Sequence, residues 1–410
     1  MSDSIKYLPI IGTLIIVLSI YLCFKVKGNE KLLFLFAIVG FINISIGLSD
    51  GILKGMHVAA WQIPLRETVY NVYTAKSILL FLSILNPFLS HHWIKNKSVN
   101  LNHEGIKRKD NLIIAYIGTL TMYIILLMGY DVNALSGDGY VSNSNPLIEY
   151  AIVIFVVVWF YSDKSIVINI LLKIYALLYV LYSMSFGDRS AAFLMILLYY
   201  LLYINKKYKL SITKIFILAL IAITLSNFVA EYRTDASADI SDLVQSTFER
   251  GLYSDTVSYS YYASITITAA PHIDDTFDYF IEYLKSLVVG GSNSEFSNLA
   301  NFVSGKYFYN VGGGLYTSYF YFGFGYLGVI FGASILGIVL RKVYSHKGSF
   351  AIIYQLLIPV LAIRWYLYGP TSIYRSIFIV STILLLICFI FDKLVRNETI
   401  VNNYVSQPSK

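Results

Sequence analysis

Long apolar runs recur from one end of the chain to the other, many near the 18 or so residues that mark a membrane helix. A helix rises about 1.5 Å per residue, so runs of this size cross most or all of a hydrocarbon layer. Eleven can be placed, near Leu8–Phe24, Leu32–Leu48, Tyr70–Leu89, Leu112–Gly129, Leu147–Tyr161, Ile166–Met184, Ala191–Ile204, Ile212–Ala230, Leu315–Leu340, Phe350–Leu367 and Ile373–Phe391. The expected fold is an all-α polytopic membrane protein of about eleven transmembrane helices, or twelve if 49–69 holds a re-entrant piece. The seventh run is short and the ninth long, so their tilts must differ. Composition agrees: 57% of the 410 residues are hydrophobic and 13% charged, against about 25% charged in soluble domains. The first run follows only Lys6 and lacks a small-residue cleavage site, which reads as a retained span. Cys23 and Cys388 sit in apolar runs, a pattern of neither a disulfide framework nor a metal site.

Lysines then orient the chain. Lys25, Lys27 and Lys31; Lys95, Lys97, Lys107, Arg108 and Lys109; Lys164; Lys206, Lys207, Lys209 and Lys214; Arg341, Lys342 and Lys347; and Lys393, Arg396 and Lys410 fall in alternate connections. By the positive-inside rule these are cytoplasmic, with the N-terminus outside and the C-terminus inside. The net charge of +7 is accounted for by topology, and nucleic acid is not an expected partner. Arginine is sorted to the other side: Arg66, Arg189, Arg233, Arg250, Arg364 and Arg375 fall on the outer face or near it. A planar guanidinium grips phosphate and carboxylate in a way lysine cannot copy. The outer arginines therefore point to an anionic ligand, with snorkelling to lipid headgroups as the plainer alternative.

The exception to the apolar plan is the polar segment 231–314, expected as an external, periplasmic loop between spans eight and nine of a single membrane domain, 1–410. Ile240, Leu243, Val244, Phe248 and Leu252 share one helical face, with Ser237 or Asp239 as cap. Phe277, Phe280, Ile281, Leu284, Leu287 and Val288 share another, with Asp275 as cap and Gly290-Gly291 as stop. Pro271-His272 separates them. Such helices lie on a membrane or over a bundle. In span nine, Gly323, Gly325, Gly328 and Gly332 allow close packing. Arg364 lies in the last outward turn of span ten and Arg375 opens span eleven. A charge placed so far into an apolar helix calls for a polar cavity or a partner. The polar tail 396–410 is expected to be flexible. Many of the 36 tyrosines fall near span ends, where they anchor at the interface or form platforms for sugar rings.

A family resemblance rests on three stretches. Ser185-Phe186-Gly187-Asp188-Arg189-Ser190-Ala191-Ala192-Phe193 leads into an apolar helix and resembles the Gly-x-Arg-[Ser/Gly/Thr]-Ala opening of oligosaccharide repeat-unit polymerases, the O-antigen polymerases of the Wzy type. Glu231-Tyr232-Arg233 stands at the start of a large external loop, and it is similar to the segment two helices later in such proteins. The run from Gly312 to Gly328 looks like their last long helix. The likeness covers roughly 180–380. It departs from an Arg-x10-Gly pattern, since Tyr200 and Tyr261 stand where Arg189 and Arg250 would require glycine.

The resemblance implies an architecture like that of the C superfamily of membrane glycosyltransferases. It implies lipopolysaccharide biosynthesis at the outer face of the bacterial inner membrane. The glycan would be passed from undecaprenyl pyrophosphate to a hydroxyl of another lipid-linked repeat unit, with no nucleotide sugar and no cofactor. Membrane lipids and a chain-length regulator are candidate partners. The leaving group would be a lipid diphosphate, which arginines would stabilise. No paired carboxylates at metal-ligand spacing appear near the span ends, so arginine stands where a metal would otherwise serve. The acceptor hydroxyl needs a base. The expected catalytic residues are Glu231, Arg233 and Arg189, and the expected substrate contacts Arg364, Arg375, Arg250, Asp188 and His272. Rival readings are an O-antigen ligase, which shares the donor, a lipid-linked oligosaccharide flippase and a solute transporter.

Overall fold

The computed structural model describes residues 3–49, 68–89, 108–129, 147–186, 188–205, 211–234, 239–250, 254–289, 299, 302–303 and 313–405. Arg66, His57, Gly187, Gly290, Gly291, Gly312 and the lysines at 54, 95, 97, 107, 206, 207, 209, 306 and 410 lie outside the described residues. Among the described residues fifteen α-helices run in order: α1 Leu8–Val26, α2 Glu30–Ser49, α3 Val69–Phe88, α4 Leu112–Met128, α5 Leu147–Tyr161, α6 Ile166–Ser185, α7 Arg189–Tyr199, α8 Ile212–Thr234, α9 Ile240–Arg250, α10 Asp255–Ala269, α11 Phe277–Val289, α12 Tyr316–Ser345, α13 Ser349–Val360, α14 Ala362–Leu367 and α15 Ser381–Val405. Wider π-helical turns extend α7 over Tyr200–Ile204 and precede α15 over Ser372–Val380.

Among the described residues five helical stretches are both long and apolar enough to cross a membrane: Ile5–Val26, Glu30–Leu48, Ile166–Ser185, Tyr316–Ser345 and Ser372–Leu394. Several shorter apolar helices accompany them. The outer helices α1, α4, α6 and α15 present Ile10, Val17, Leu120, Leu127, Leu177, Leu181, Ile387 and Ile390 to their surroundings. Exposed apolar faces of this extent need lipid, not water, against them. By contrast α5 is buried along its length from Ile148 to Tyr161. Asn111, Ser165 and Asp188 cap α4, α6 and α7 by accepting from the backbone N–H three residues on, at 3.3, 3.3 and 3.2 Å. On the lysine-bearing side, Arg108 stacks on the Trp159 ring at 4.5 Å and donates through Nε to the Trp159 carbonyl at 2.9 Å. Lys109 pairs with Asp392 at 3.1 Å. Arg108 thus has a structural role that positive charge alone does not account for.

The expected single helix over Leu315–Leu340 is not continuous. Phe324 (φ −141°, ψ 21°) and Gly325 (φ 58°, ψ −141°) leave helical geometry. The limb before them folds back on the one after. Tyr316 Oη donates to the Gly332 carbonyl at 3.1 Å, although 16 residues of continuous helix would separate them by about 24 Å. A Cβ on Gly328 would lie 2.0 Å from the Phe320 carbonyl oxygen, and one on Gly332 would lie 2.7 Å from the Phe320 ring. Glycine is required at 325 by its positive φ and at 328 and 332 by the close limbs. The small-residue spacing therefore marks a seam inside α12. Thr276 Oγ1 donates to the Phe322 carbonyl at 2.7 Å, supplying a partner where the helix is interrupted.

Among the described residues the polar segment holds a further helix, α10, between the two amphipathic ones. The amphipathic α9 and α11 stand where expected, and Asp275 caps α11 by accepting from Phe277 N at 3.1 Å. The buried stripe of α11 is Phe280, Tyr283 and Leu287, against Tyr319 and Phe322 of α12; Phe277, Leu284 and Val288 face outward. Between them α10 enters the core. Tyr261, Tyr262, Ala263, Ile265, Ile267 and Ala269 are fully buried, as are Ser264 and Thr266. Tyr261 Oη donates to Asn71 Oδ1 at 2.6 Å, and Ser264 Oγ accepts from Leu315 N at 2.7 Å. The helix α10 is thus part of the bundle.

The seam makes a prediction. Gly328→Ala places a methyl against backbone and should cost roughly 1–3 kcal/mol, near the upper end. Gly348→Ala, where a Cβ would meet nothing within 4 Å, serves as the control. Thermal unfolding of the purified chain in detergent should lower the midpoint for the first and leave it unchanged for the second.

Candidate active site

Asp188 is the N-cap of α7. Its Oδ1 accepts from Ala191 N at 3.2 Å and from Ser190 Oγ at 2.8 Å. Arg364, on α14, donates through Nη2 to both carboxylate oxygens at 3.3 Å. The two side chains are 12% and 23% exposed, respectively. The Arg364 guanidinium also lies over the Tyr368 ring at 5.6 Å. A helix N-terminus favours the anion that caps it, and the paired guanidinium does the same.

A second carboxylate belongs to this cluster and is not among the expected residues. Glu149, in the first turn of α5, accepts from Ser376 Oγ at 2.7 Å and from Ser372 Oγ at 3.2 Å. Its charge acts on the Arg364 guanidinium. In the sequence Glu149 looks like an ordinary acid in the first turn of a helix; Ser372 and Ser376, four residues apart on one face, are the only hint of a partner.

Arg375 lies one turn from Ser372 and donates to the Ser286 carbonyl of α11. Around it Tyr283 meets Thr371 at 3.4 Å, and Tyr316 meets Tyr374 at 3.1 Å through their hydroxyls. The Nε atoms of both Arg364 and Arg375 are buried without a hydrogen-bond partner among the described residues. A buried donor left so costs about 1–3 kcal/mol, and an incoming oxyanion would satisfy it. Gly313 approaches Tyr368 so closely that a Cβ would lie 2.5 Å from its ring, and Gly369 (φ 89°) packs likewise on Tyr319. The end of the polar segment is therefore laid directly against this cluster.

The other expected residues are spread more widely. Arg189 is buried and donates through Nη1 to the Ser226 carbonyl at 2.7 Å and to Ser226 Oγ at 3.2 Å. It ties α7 to α8, whose C-terminal turns carry Glu231, half-buried, and Arg233. Ser226 precedes Glu231 by about 8 Å of helix. Arg250 ends α9; the side chains of Arg233 and Arg250 lie outside the described residues. His272 is exposed and joins a separate group, its Nε2 3.1 Å from Tyr321 Oη. Of the eight, Asp188 and Arg364 are brought into direct contact, with Arg375 on the π-helical turn that also carries the Glu149 serines.

A multi-pass, all-helical membrane protein with arginines and carboxylates held together between its helices is the class these features define. Residues 1–398 match the family model of the O-antigen polysaccharide polymerase Wzy, and the chain belongs to that family. It is a polysaccharide polymerase that joins O-antigen repeat units, and the family implies lipid-linked oligosaccharide substrates. The match extends well beyond the 180–380 stretch that carried the resemblance. No curated protein and no solved structure matches the chain.

The double role of Asp188 is testable by stability. Asp188→Asn keeps an oxygen for the cap and loses the charge; Asp188→Ala loses both and leaves Arg364 unpaired. A cap is worth about 1 kcal/mol and breaking a buried pair about 3–5 kcal/mol, toward the lower end for a guanidinium this exposed. The alanine variant should unfold at a clearly lower temperature than the asparagine variant.

Proposed function

We propose that repeat units are joined in the recess bounded by Arg364, Arg375, Asp188 and Glu149. The observation that carries this reading is the pair of buried guanidinium Nε atoms without a hydrogen-bond partner among the described residues, with Asp188 paired to Arg364 and Glu149 held by the serines of the turn that carries Arg375. The donor is a glycan on undecaprenyl pyrophosphate. Its diphosphate takes the free donor edges of Arg364 and Arg375. The acceptor hydroxyl oxygen bonds to the anomeric carbon, the bond from that carbon to the phosphate oxygen breaks, and the diphosphate leaves with the electron pair. The hydroxyl proton goes to a carboxylate, Glu149 or Asp188, with Glu231 at the end of α8 as the further candidate. Arg189, bonded to Ser226 of α8, positions that end.

In this reading the recess opens at the outer face of the inner membrane, with the N-terminus outside and the C-terminus cytoplasmic. The helices α5 and α7 are short. Fifteen residues reach about 22 Å, less than the roughly 30 Å of hydrocarbon, so Glu149 and Asp188 stand below the outer surface if their inner ends are level. The second limb of α12, from 326 on, makes the crossing; the first limb and α10 dip in from outside. The apolar side of α9, with Ile240, Val244 and Phe248 exposed, lies along the membrane.

The test is complementation of cells lacking the chain. Arg364→Ala and Arg375→Ala should each leave single repeat units on the lipid core, with the variant present at normal level in the membrane. Loss of a preorganised charge donor lowers turnover by roughly 100- to 1,000-fold. Arg364→Lys should not restore long chains, since an ammonium lacks the planar fork. Full-length polysaccharide in both alanine variants would remove the recess from the chemistry. Absence of any repeat unit on the core would favour the ligase reading.

A further inference from the structure

Five rings that the chemistry above does not use meet at the fold of α12. Tyr70 and Tyr73 stand one turn apart on α3, with ring centroids 6.2 Å apart. His272, from the turn Ala270–His272 after α10, lies 5.6 Å from Tyr70 and 5.1 Å from Tyr73. Tyr321 and Tyr326 flank the break at Phe324 and Gly325 and lie 5.0 Å apart. Tyr326 closes the ring onto Tyr73 at 6.4 Å, and Tyr321 lies 6.1 Å from His272. Only Tyr321 is fully buried; Tyr70, Tyr73 and Tyr326 are half-buried and His272 is exposed. The Tyr326 hydroxyl is itself buried without a partner among the described residues. One turn further along α3, Lys76 is exposed and has no ion-pair partner among the described residues. A charge there requires water or a polar ligand, since lipid would oppose it.

An aromatic group that only fills a core is covered on every side and has its hydroxyls satisfied. This one is open, polar at its edges and short of one acceptor or donor. Its chemistry is the complement of a pyranose, which has C–H bonds on a face and hydroxyls around a rim. We propose that Tyr70, Tyr73, Tyr326 and His272 form a carbohydrate subsite that holds one pyranose ring of the lipid-linked oligosaccharide. The sugar face lies on the tyrosine rings, and its hydroxyls meet Tyr326 Oη and the His272 imidazole. The subsite is connected to the recess by the first limb of α12. Tyr321 lies at one end of that limb, and Tyr316 at the other touches Trp365, the neighbour of Arg364, at 5.6 Å. Five residues separate them, about 8 Å of helix. The ring held here is therefore not the one whose bond reacts. It sets the register of the glycan and contributes to its selection.

The inference rests on the polymerase reading, and the experiment separates the two. Lipid-linked repeat units extracted from cells lacking the chain are elongated by the purified full chain in detergent. Tyr73→Ala should raise the apparent KM for these units about tenfold, a typical worth of one aromatic contact, with kcat within about twofold. Tyr73→Trp, which keeps an aromatic face, should stay near the parent. Tyr73→Leu replaces the alanine variant if that does not fold, and carries the same expectation. Unchanged KM in the alanine or leucine variant, with elongation intact, overturns the subsite and leaves the polymerase reading standing. A second measurement does not depend on catalysis. Saturation-transfer NMR with oligosaccharide released from its carrier by mild acid should pass saturation from aromatic protons to sugar C–H protons. The transfer should weaken severalfold in the Tyr73→Leu, Tyr326→Leu double variant. No difference between that variant and the parent overturns the subsite even where no elongation is observed.

Discussion

The fold-back at Phe324 and Gly325 is the constraint on which the rest of the arrangement depends. Were α12 continuous, Tyr316 would stand a helix length from Gly332 and could not meet Trp365 and Tyr374. Gly313 would not reach Tyr368, and α10 would lose the Leu315 N–H that it binds through Ser264. One residue with φ of 58° thereby brings the end of the polar segment into the bundle. The cost of the turn is small for glycine; with ψ at −141° it lies outside the left-handed helical well, where another residue would cost on the order of 1–3 kcal/mol. The larger energetic demand is the seam, where the Phe320 backbone closes on Gly328 and its ring on Gly332. Dispersion between the well-packed limbs is the main stabilising contribution there.

The charged cluster has a property that a simple ion pair lacks. Breaking a buried pair ordinarily strands one charge. Here each carboxylate keeps neutral donors of its own: Asp188 has the Ala191 N–H and the Ser190 hydroxyl, and Glu149 has the hydroxyls of Ser372 and Ser376. Arg364 can share its donors with an entering oxyanion while both carboxylates remain hydrogen-bonded. The serines that hold Glu149 sit on the same π-helical turn as Arg375, so the two arginines and the two acids are positioned by short, adjoining pieces of backbone. In the proposed reading that geometry suits taking up and releasing a diphosphate, because neither step empties a buried carboxylate of partners.

Much of this is legible in the sequence, for physical reasons that also explain what is not. Apolar runs register as helices whatever their partners, and Arg364 is conspicuous because an arginine deep in an apolar helix demands a counter-charge. Asp188 is visible as the cap preceding Arg189. The interruption of α12 is not, since the residues on both sides of Gly325 are equally apolar and four glycines read equally well as packing between separate helices. The helix α10 escapes periodicity because it is buried all round: its Tyr, Ser, Thr and Ala residues show no one-sided period, while α9 and α11 beside it do. The stripe expected on α11 is one step off. Phe277, Leu284 and Val288 face outward, and Tyr283, too polar by type to join an apolar stripe, takes the inward place. Glu149 and its two serines are more than 220 residues apart, a pairing that only the fold supplies.

The first limb of α12 divides two chemistries that one substrate combines. On the side of Tyr316 are arginines whose Nε atoms have no partner among the described residues; at the end of Tyr321 are open tyrosine rings. A lipid-linked oligosaccharide carries a compact dianionic group joined to sugars that are uncharged on at least one face, and the two parts ask for opposite surroundings. Charge is best recognised where water is excluded and donors are preorganised, whereas sugar faces are best held by broad, partly wetted aromatic surfaces. A continuous helix presents one stripe to one environment at a given depth. Folded on itself, α12 sets its two limbs against successive stretches of α3: Tyr73 packs beside Tyr326 of the second limb, and Phe81, two turns deeper, packs beside Tyr316 of the first. In the proposed reading the break lets the first limb join the arginine recess to the tyrosine subsite, and the glycine at 325 is what sets both in place.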